Sequence, residues 1–131
     1  MTLLIAAQDI RSVSLARVEN GVAQAVATVP VGPERYLDAV RRTLEEWGVD
    51  PRRDVDAVAV VTGPGAFTSS RVSTVIANAM AFAADVPVIA VENARGAPVE
   101  ELARTLPPPS AGFAQPVYNR PPNITLANKR A

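Results

Sequence analysis

The stretch that decides the fold is DAVAVVTGPGAFTSSRV, residues 56–72. Its residues 57–62 form an apolar run, which indicates a strand covered on both faces. A Gly-Pro-Gly turn follows, whose glycines permit a tight turn, and a helix then runs from about Thr68 to Ala84. A second apolar run at residues 87–91 indicates another strand. Strand, helix and strand in this order predict a βαβ unit with parallel strands.

The N-terminal third of the chain predicts three more strands and a helix. Short apolar or alternating runs indicate the strands, and Asn20-Gly21 between the last two is a hairpin signal, so they form an antiparallel meander. The helix has Pro33 near its first turn and ends at Gly48. These elements occupy residues 2–7, 12–18, 22–29 and 34–47.

The predicted fold class is α/β, a mixed five-stranded sheet with helices. It forms a single domain over residues 1–106, and a short helix at residues 98–106 completes it. Three consecutive prolines cannot continue that helix and begin a Pro-rich linker at residues 107–115. Residues 116–131 contain further prolines, which predict an extended C-terminal tail.

Composition excludes several classes of function. The 131 residues contain 13 Lys and Arg, 13 Asp and Glu, and no Cys or His. A net charge of zero supplies no large positive field for binding nucleic acid. Without Cys and His there is no disulfide, thiolate nucleophile, His-based metal site or Ser-His-Asp triad, and we expect neither metal nor cofactor. The chain shows neither a signal-peptide pattern nor an apolar run near the roughly 20 residues of a membrane span, which predicts a cytoplasmic protein.

The loop before the long helix either binds an anion or is a capped turn. Thr68 or Ser69 is placed to cap the helix through its hydroxyl, and free N–H groups there attract anions. The capped turn is the commoner arrangement, and the Gly-Lys-Ser/Thr end of a Walker A loop is missing. Arg71 lies in the first turn, where a cation opposes the helix dipole. This position predicts a specific partner for Arg71, within the fold or at an interface rather than on a ligand.

The helix from Thr68 to Ala84 predicts a protein interface. Its larger apolar residues form one broad stripe, which is expected to face the sheet. The opposite face is small and uncharged, and it predicts close approach of a partner helix unless the chain's own first helix covers it. The stripe comprises Val72, Val75, Ile76, Ala79, Met80, Phe82 and Ala83. The predicted interface comprises Ser70, Ser73, Thr74, Ala77, Ala81 and Ala84, with Tyr36 and Val40 from the first helix.

At its strand-to-helix junction the chain resembles the TsaB/YeaZ family, whose signature reads Gly-Pro-Gly-x-Phe-Thr-x-x-Arg in this context. The strand at residues 87–91, the helix start at residues 34–37 and the segment PVYNRP at residues 116–121 are similar to that family as well. The resemblance implies one lobe of the actin/Hsp70/sugar-kinase (RNase H-like) fold, with the signature near a nucleotide site. The matching positions are Gly63, Pro64, Gly65, Phe67, Thr68 and Arg71.

Two departures from the family pattern bear on function. Family members carry an Asp in the first phosphate loop, after the first strand. In this chain the aligned position is Ala7, and a small shift in the alignment would place Asp9 there instead. Family members are longer and carry a second lobe where this chain has the Pro-rich linker, so the resemblance is to a shortened form. Both departures weigh against nucleotide chemistry.

The resemblance implies a scaffold subunit that does no chemistry itself. Family members pair with a TsaD-like catalytic homologue through a helical bundle, a TsaE-like ATPase joins them, and the complex transfers threonylcarbamoyl to a tRNA adenosine. We therefore expect a heterodimer, or a homodimer when the chain is alone, that meets tRNA only indirectly and meets no membrane. Two alternatives stay open: a degenerate nucleotide-binding enzyme of the same superfold, and a truncated paralogue with a different protein partner.

Overall fold

The computed structural model describes residues 1–117, and residues 118–131 of the predicted tail lie outside the described residues. Within residues 1–117 the elements follow the predicted order, and no helix there is long and apolar enough to cross a membrane. The elements are β1 (Thr2–Ala6), β2 (Val13–Glu19), β3 (Val22–Val29), a 3₁₀ turn (Pro33–Arg35), α1 (Tyr36–Glu46), β4 (Ala57–Gly63), α2 (Phe67–Ala84), β5 (Val88–Glu92) and α3 (Val99–Arg104).

The strands form one mixed sheet in the order β3-β2-β1-β4-β5. Strands β1, β2 and β3 pair antiparallel, and β4 lies parallel to both β1 and β5. The predicted meander and the parallel βαβ unit are therefore confirmed. The β2–β3 hairpin turns at Asn20 and Gly21, with φ of 53° and 74°, because a two-residue hairpin loop favours positive φ at both positions.

The sheet carries a core on each face, and β4 at its centre is buried at all seven residues. On one face Leu3, Ile5 and Val60 share a core with residues of α1 and α2. On the other face Leu4 and Val61 share a core with residues of α3. Successive side chains of a strand point to opposite faces, so the uninterrupted apolar run of β4 suits this double cover, as predicted.

Residues 107–117, which the sequence predicts as a linker and the start of a tail, return to the sheet. The N–H of Ser110 donates to the carbonyl of Val88 on β5 over 2.7 Å. Further on, the N–H of Val117 donates to the carbonyl of Thr62 on β4, also over 2.7 Å. These bonds hold the end of the described chain beside the parallel half of the sheet.

Between those two bonds, the side chain of Asn78 on α2 holds residue 114 from both sides. Asn78 Nδ2 donates to the Ala114 carbonyl over 3.1 Å, and the Ala114 N–H donates to Asn78 Oδ1 over 2.9 Å. Ala114 is buried in the core shared by α1 and α2. We call this pair of bonds the Asn78 clamp, and it makes the segment part of the folded unit.

Candidate partner-binding site

The Gly-Pro-Gly turn before α2 is packed too tightly for a side chain at either glycine. A Cβ on Gly63, where φ is 131°, would collide with the Val117 carbonyl oxygen, and one on Gly65 would lie 2.6 Å from the Gln8 carbonyl oxygen. The Gly63–Pro64 peptide is cis. The N–H of Ala66 donates to the Gln8 carbonyl over 2.8 Å, which ties the start of α2 to the end of β1. Both motif glycines are therefore required on steric grounds.

Two side-chain amides join the carboxyl ends of the three parallel strands. Gln8 Nε2 donates to the carbonyls of Pro64 (2.7 Å) and Asn93 (2.9 Å), and Asn93 Nδ2 donates to Gln8 Oε1 (2.9 Å). The N–H of Asn93 donates to the Gly63 carbonyl over 2.8 Å. Ligands of open α/β sheets usually bind at this end of the strands. Here amides fill it, and an amide side chain can hold a loop but cannot transfer protons by titration.

Sequence reasoning missed this pair. Neither Gln8 nor Asn93 belongs to a motif in the sequence. The available signal was that Gln8 follows the predicted strand 2–7 directly and Asn93 lies two residues after the predicted strand 87–91, since residues at the carboxyl ends of parallel strands meet at one edge.

A depression of about 170 Å³ adjoins the amide pair. That volume is below the roughly 300 Å³ at which ligand pockets usually begin. Asp9, the carboxylate that a shifted alignment offers for a phosphate loop, lies at its edge and accepts a hydrogen bond from the Arg11 N–H over 2.7 Å. The Asp9 carboxylate thus caps its own turn. Residues 1–117 contain no group of three acidic side chains suited to a metal ion.

The helix α2 begins without the predicted side-chain cap. Its N-cap residue is Ala66, which makes no side-chain cap hydrogen bond. Ser69 is buried, and its hydroxyl lies 3.3 Å from that of Tyr36, while Thr68 is exposed. The prediction that Thr68 or Ser69 caps the helix is therefore wrong, because the helix begins at Phe67 and both residues already lie within its first turn.

The helix α2 turns outward part of the face that the sequence predicts to be inside, although Ile76 of that stripe is buried in the core and Val72 and Met80 pack against it. Val75 and Phe82, from the stripe expected to meet the sheet, are 59% and 78% exposed. The small residues expected to meet a partner instead lie inside the fold, so the prediction of the two faces is wrong. Ala84 is half-buried, and the buried ones are Ser70, Ser73, Thr74, Ala77 and Ala81.

Two physical features explain this orientation. Small side chains let α2 lie close against β4, and close packing of the interior favours such an approach. A helical serine can also return its hydroxyl to a carbonyl one turn earlier, so its burial need not leave a hydrogen bond unmade. Ser73 Oγ does so, donating to the Ser69 carbonyl over 2.8 Å. Apolar volume alone predicts the opposite orientation, whereas α2 packs on the sheet mainly through small side chains.

Tyr36 and Val40 are core residues of α1, with 0% and 1% exposure. The Tyr36 hydroxyl donates to the Asp9 carbonyl over 2.8 Å. Burial raises the pKa of Tyr36, since an ionised phenol loses its hydration in the interior. Tyr36 therefore ties α1 to the loop after β1, and the prediction that these two residues are available to a partner is wrong.

The solvent-facing side of α2 is long, apolar and almost uncharged. We call it the α2 outer face and define it by Arg71, Val75, Ala79 and Phe82, whose spacing of three or four residues places them along one side of a helix, with half-buried Val72 at its border. Arg71 is its one charge, and within residues 1–117 it makes no ion pair. A helix face that meets only water usually carries several charges, and a contiguous exposed apolar patch is typical of a binding site.

A shallow groove of about 290 Å³ lies along the N-terminal half of this face. The structure thereby divides the family motif into two parts. Gly63 and Gly65 build the buried turn, and the last three motif side chains line the groove. The lining residues are Phe67, Thr68, Arg71, Val72, Val75 and Ile76.

Comparisons with known proteins agree with the resemblance in the sequence. The family model for TsaD, tRNA N6-adenosine threonylcarbamoyltransferase, matches residues 33–109, more than half of the chain. A tRNA N6-adenosine threonylcarbamoyltransferase from Burkholderia thailandensis is 41% identical over 75 residues, which are 57% of this chain and 21% of that protein. The tRNA threonylcarbamoyladenosine biosynthesis protein TsaB from Haemophilus influenzae is 54% identical over 60 residues, 46% of this chain and 25% of that protein.

Solved structures share the fold. YeaZ from Pseudomonas aeruginosa has a TM-score of 0.60 and 33% identity, over 70% of this chain and 43% of its own. A second structure, described as similar to the peptidase YeaZ from Pseudomonas aeruginosa, has a TM-score of 0.61 with the same identity and coverage. The predicted fold class and the resemblance to TsaB/YeaZ are confirmed. The matched segments span about a quarter or less of the curated relatives and under half of the solved chains.

Proposed function

The chain belongs to the TsaD family of tRNA N6-adenosine threonylcarbamoyltransferases, and on that premise we propose that it is a non-catalytic scaffold subunit that binds a TsaD-like catalytic homologue. The pair, joined by a TsaE-like ATPase, would transfer threonylcarbamoyl to a tRNA adenosine. This subunit would meet tRNA only indirectly, since its net charge is zero and gives no broad positive surface for phosphates.

The observation that carries this proposal is the α2 outer face. Val75 and Phe82, at 59% and 78% exposure, lie seven residues apart, which is close to two helical turns, so they project on the same side. Two apolar anchors at this spacing suit a partner helix laid along α2. Ala79 between them is small and exposed, and so leaves room for the partner's backbone.

Arg71 supplies the one charge of this face, at its N-terminal end. A cation in the first turn of a helix opposes the helix dipole, and residues 1–117 offer it no ion-pair partner. We propose that the catalytic homologue places a carboxylate opposite Arg71. One such charge pair beside an apolar seam would fix the register of the two helices.

The non-catalytic part of the proposal rests on the carboxyl ends of the parallel strands. Gln8 and Asn93 bond to each other and to the motif turn, and Asp9 caps its own turn. The chain has no His or Cys that could serve as a general base or nucleophile. The depression at this edge is also small for a nucleotide, which disfavours the alternative of a degenerate nucleotide-binding enzyme.

The test is the affinity of the full chain for its cognate TsaD-like protein, measured by isothermal titration calorimetry. Val75→Lys and Phe82→Lys each place a charge on the α2 outer face, and each should weaken binding by about thirtyfold or more, the size of an interface hot spot. Thr105→Lys is the control, because Thr105 is exposed at the end of α3 on the opposite face of the sheet. It should bind like the wild type.

Each alternative outcome has a defined meaning. If both α2 variants bind as tightly as the wild type, the α2 outer face is not the interface. If the folded wild type does not bind at all, the scaffold function is refuted and family membership stands. A rise in melting temperature with ATP or ADP would instead favour the nucleotide-binding alternative.

A further inference from the structure

We propose that Phe113 is a further anchor for the partner that binds the α2 outer face, and that Asn78 is the residue that positions it. Phe113 belongs to residues 110–117, which we call the return segment because it comes back to the sheet after α3. The inference rests on the proposed function, since it takes the TsaD-like homologue as the occupant and adds a second element to the surface that this homologue contacts.

All three phenylalanines of the chain are exposed, and they lie on α2 or beside it. Phe67 and Phe82 belong to the first and last turns of α2, with 47% and 78% exposure, and Phe113 is 62% exposed. Phenylalanine is among the side chains most often buried, whereas exposed aromatic side chains are enriched in protein interfaces. A fold that places none of its phenylalanines in the core and all of them around one helix is suited to contact with another protein.

Phe82 and Phe113 line the same groove, of about 490 Å³, at the C-terminal end of α2. Phe82 also belongs to the α2 outer face, so the groove continues the surface proposed for the partner helix. A helix with its side chains is about 10–12 Å across, and one that lies on Phe82 therefore also covers side chains beside it. A Cβ added at Gly112 would meet no atom of residues 1–117 within 4 Å, so there is room next to Phe113 for a side chain of the partner.

The Asn78 clamp fixes the return segment next to this groove. Asn78 holds both the N–H and the carbonyl of Ala114, which is buried, while Phe113 directly before it is exposed. Asn78 lies three residues after Val75 and four before Phe82, so the clamp stands beside both apolar anchors of the proposed interface. Because the segment is held in advance, less conformational entropy is lost when the partner binds, and the affinity is higher than a loose segment would give.

The length of this surface indicates the shape of its occupant. Phe67 and Phe82 are separated by roughly 22 Å along the axis of α2, at 1.5 Å per residue. A partner helix of about four turns would contact both of them and reach Phe113 at the far end, with its carboxylate opposite Arg71 at the near end. The inference therefore specifies one amphipathic helix of the TsaD-like protein, with an apolar side chain placed to meet Phe113.

Isothermal titration calorimetry of the full chain with its cognate TsaD-like protein tests the role of Phe113. Phe113→Ala should weaken binding by about tenfold or more, as the truncation of an aromatic anchor does. Its melting temperature should stay close to that of the wild type, because exposed substitutions rarely change stability. Val22→Ala is the matched control, since Val22 is 55% exposed on β3, at the opposite edge of the sheet from β5. It should bind like the wild type.

A double-mutant cycle tests the positioning role of Asn78. Asn78→Ala should weaken binding severalfold in the wild-type chain, because Phe113 is then no longer held in place. In the Phe113→Ala chain the same substitution should have little further effect, since the side chain that it positions is already gone. An equal loss of affinity in both chains would show that Asn78 does not act through Phe113, and would overturn its positioning role.

The remaining outcomes separate this inference from the proposed function. If Phe113→Ala binds as tightly as the wild type while Val75→Lys and Phe82→Lys do not, the role of Phe113 is overturned and the proposed function stands. If Val22→Ala loses as much affinity as Phe113→Ala, the loss is not specific to the return segment, and the inference is again overturned. A folded wild type that does not bind the TsaD-like protein overturns both.

Discussion

Replacing Ala77 with leucine tests which face of α2 lies against the sheet. Ala77 is 0% exposed and belongs to the core, whereas Ala79, on the same helix, is exposed. Alanine and leucine both favour helices, so the same substitution at the two sites differs mainly in packing. Extra methylene groups in a filled core cost about 1–3 kcal/mol, while exposed substitutions usually stay within about 0.5 kcal/mol. Ala77→Leu should therefore lower the free energy of unfolding, and Ala79→Leu should not.

Thermal unfolding followed by circular dichroism measures this difference. In a domain of this size each kcal/mol lowers Tm by about 3–5 °C, so Ala77→Leu should melt about 3–15 °C below Ala79→Leu. Equal melting temperatures, or a lower one for Ala79→Leu, would refute the orientation of α2. The assignment of the α2 outer face would fall with it.

Three further predictions concern polar groups inside the fold. Asn78→Ala removes both hydrogen bonds to Ala114 and should lower the free energy of unfolding by about 1–3 kcal/mol. Amide hydrogen exchange should accelerate at residues 110–117, and unchanged exchange there would count against the Asn78 clamp. Thr74→Val removes a buried hydroxyl that has no hydrogen-bond partner within residues 1–117. The free energy of unfolding, measured by urea denaturation, should therefore be unchanged or higher, and a clear decrease would show that the hydroxyl does have a partner. Because the pKa of Tyr36 is raised above 10.0 in the folded state, its contribution to stability is full below pH 10 and is lost as pH rises through the raised pKa. Tyr36→Phe should flatten that alkaline loss in denaturation curves, and an unchanged pH dependence would contradict this assignment.

The fold was predictable because its strongest determinants are local. The apolar run of β4 needs cover on both faces, and Asn20-Gly21 suits a two-residue hairpin, so each pattern has few structural solutions. The Gly-Pro-Gly turn separates strand from helix within a few residues. Such determinants require no knowledge of the rest of the chain.

The candidate site was less predictable because its determinants lie far apart or give no local signal. Gln8 and Asn93 are 85 positions apart, and only the parallel pairing of strands brings them together. The faces of α2 were assigned wrongly because neither carries charge between Arg71 and Asp85. Hydropathy then favours burying all the larger side chains, whereas α2 buries mainly small ones together with Ile76 and leaves Val75 and Phe82 exposed.

The crowding at Gly63 and Gly65 bears on how the family signature can be used to compare genomes. Both glycines are crowded by the backbone of Val117 and Gln8, so a descendant that keeps this turn and these two neighbours is expected to keep the glycines, whatever has become of its reaction. Selection for a turn that folds is enough to preserve them. The signature is therefore a marker of shared ancestry, and the activity of each descendant has to be judged from the side chains at its strand ends.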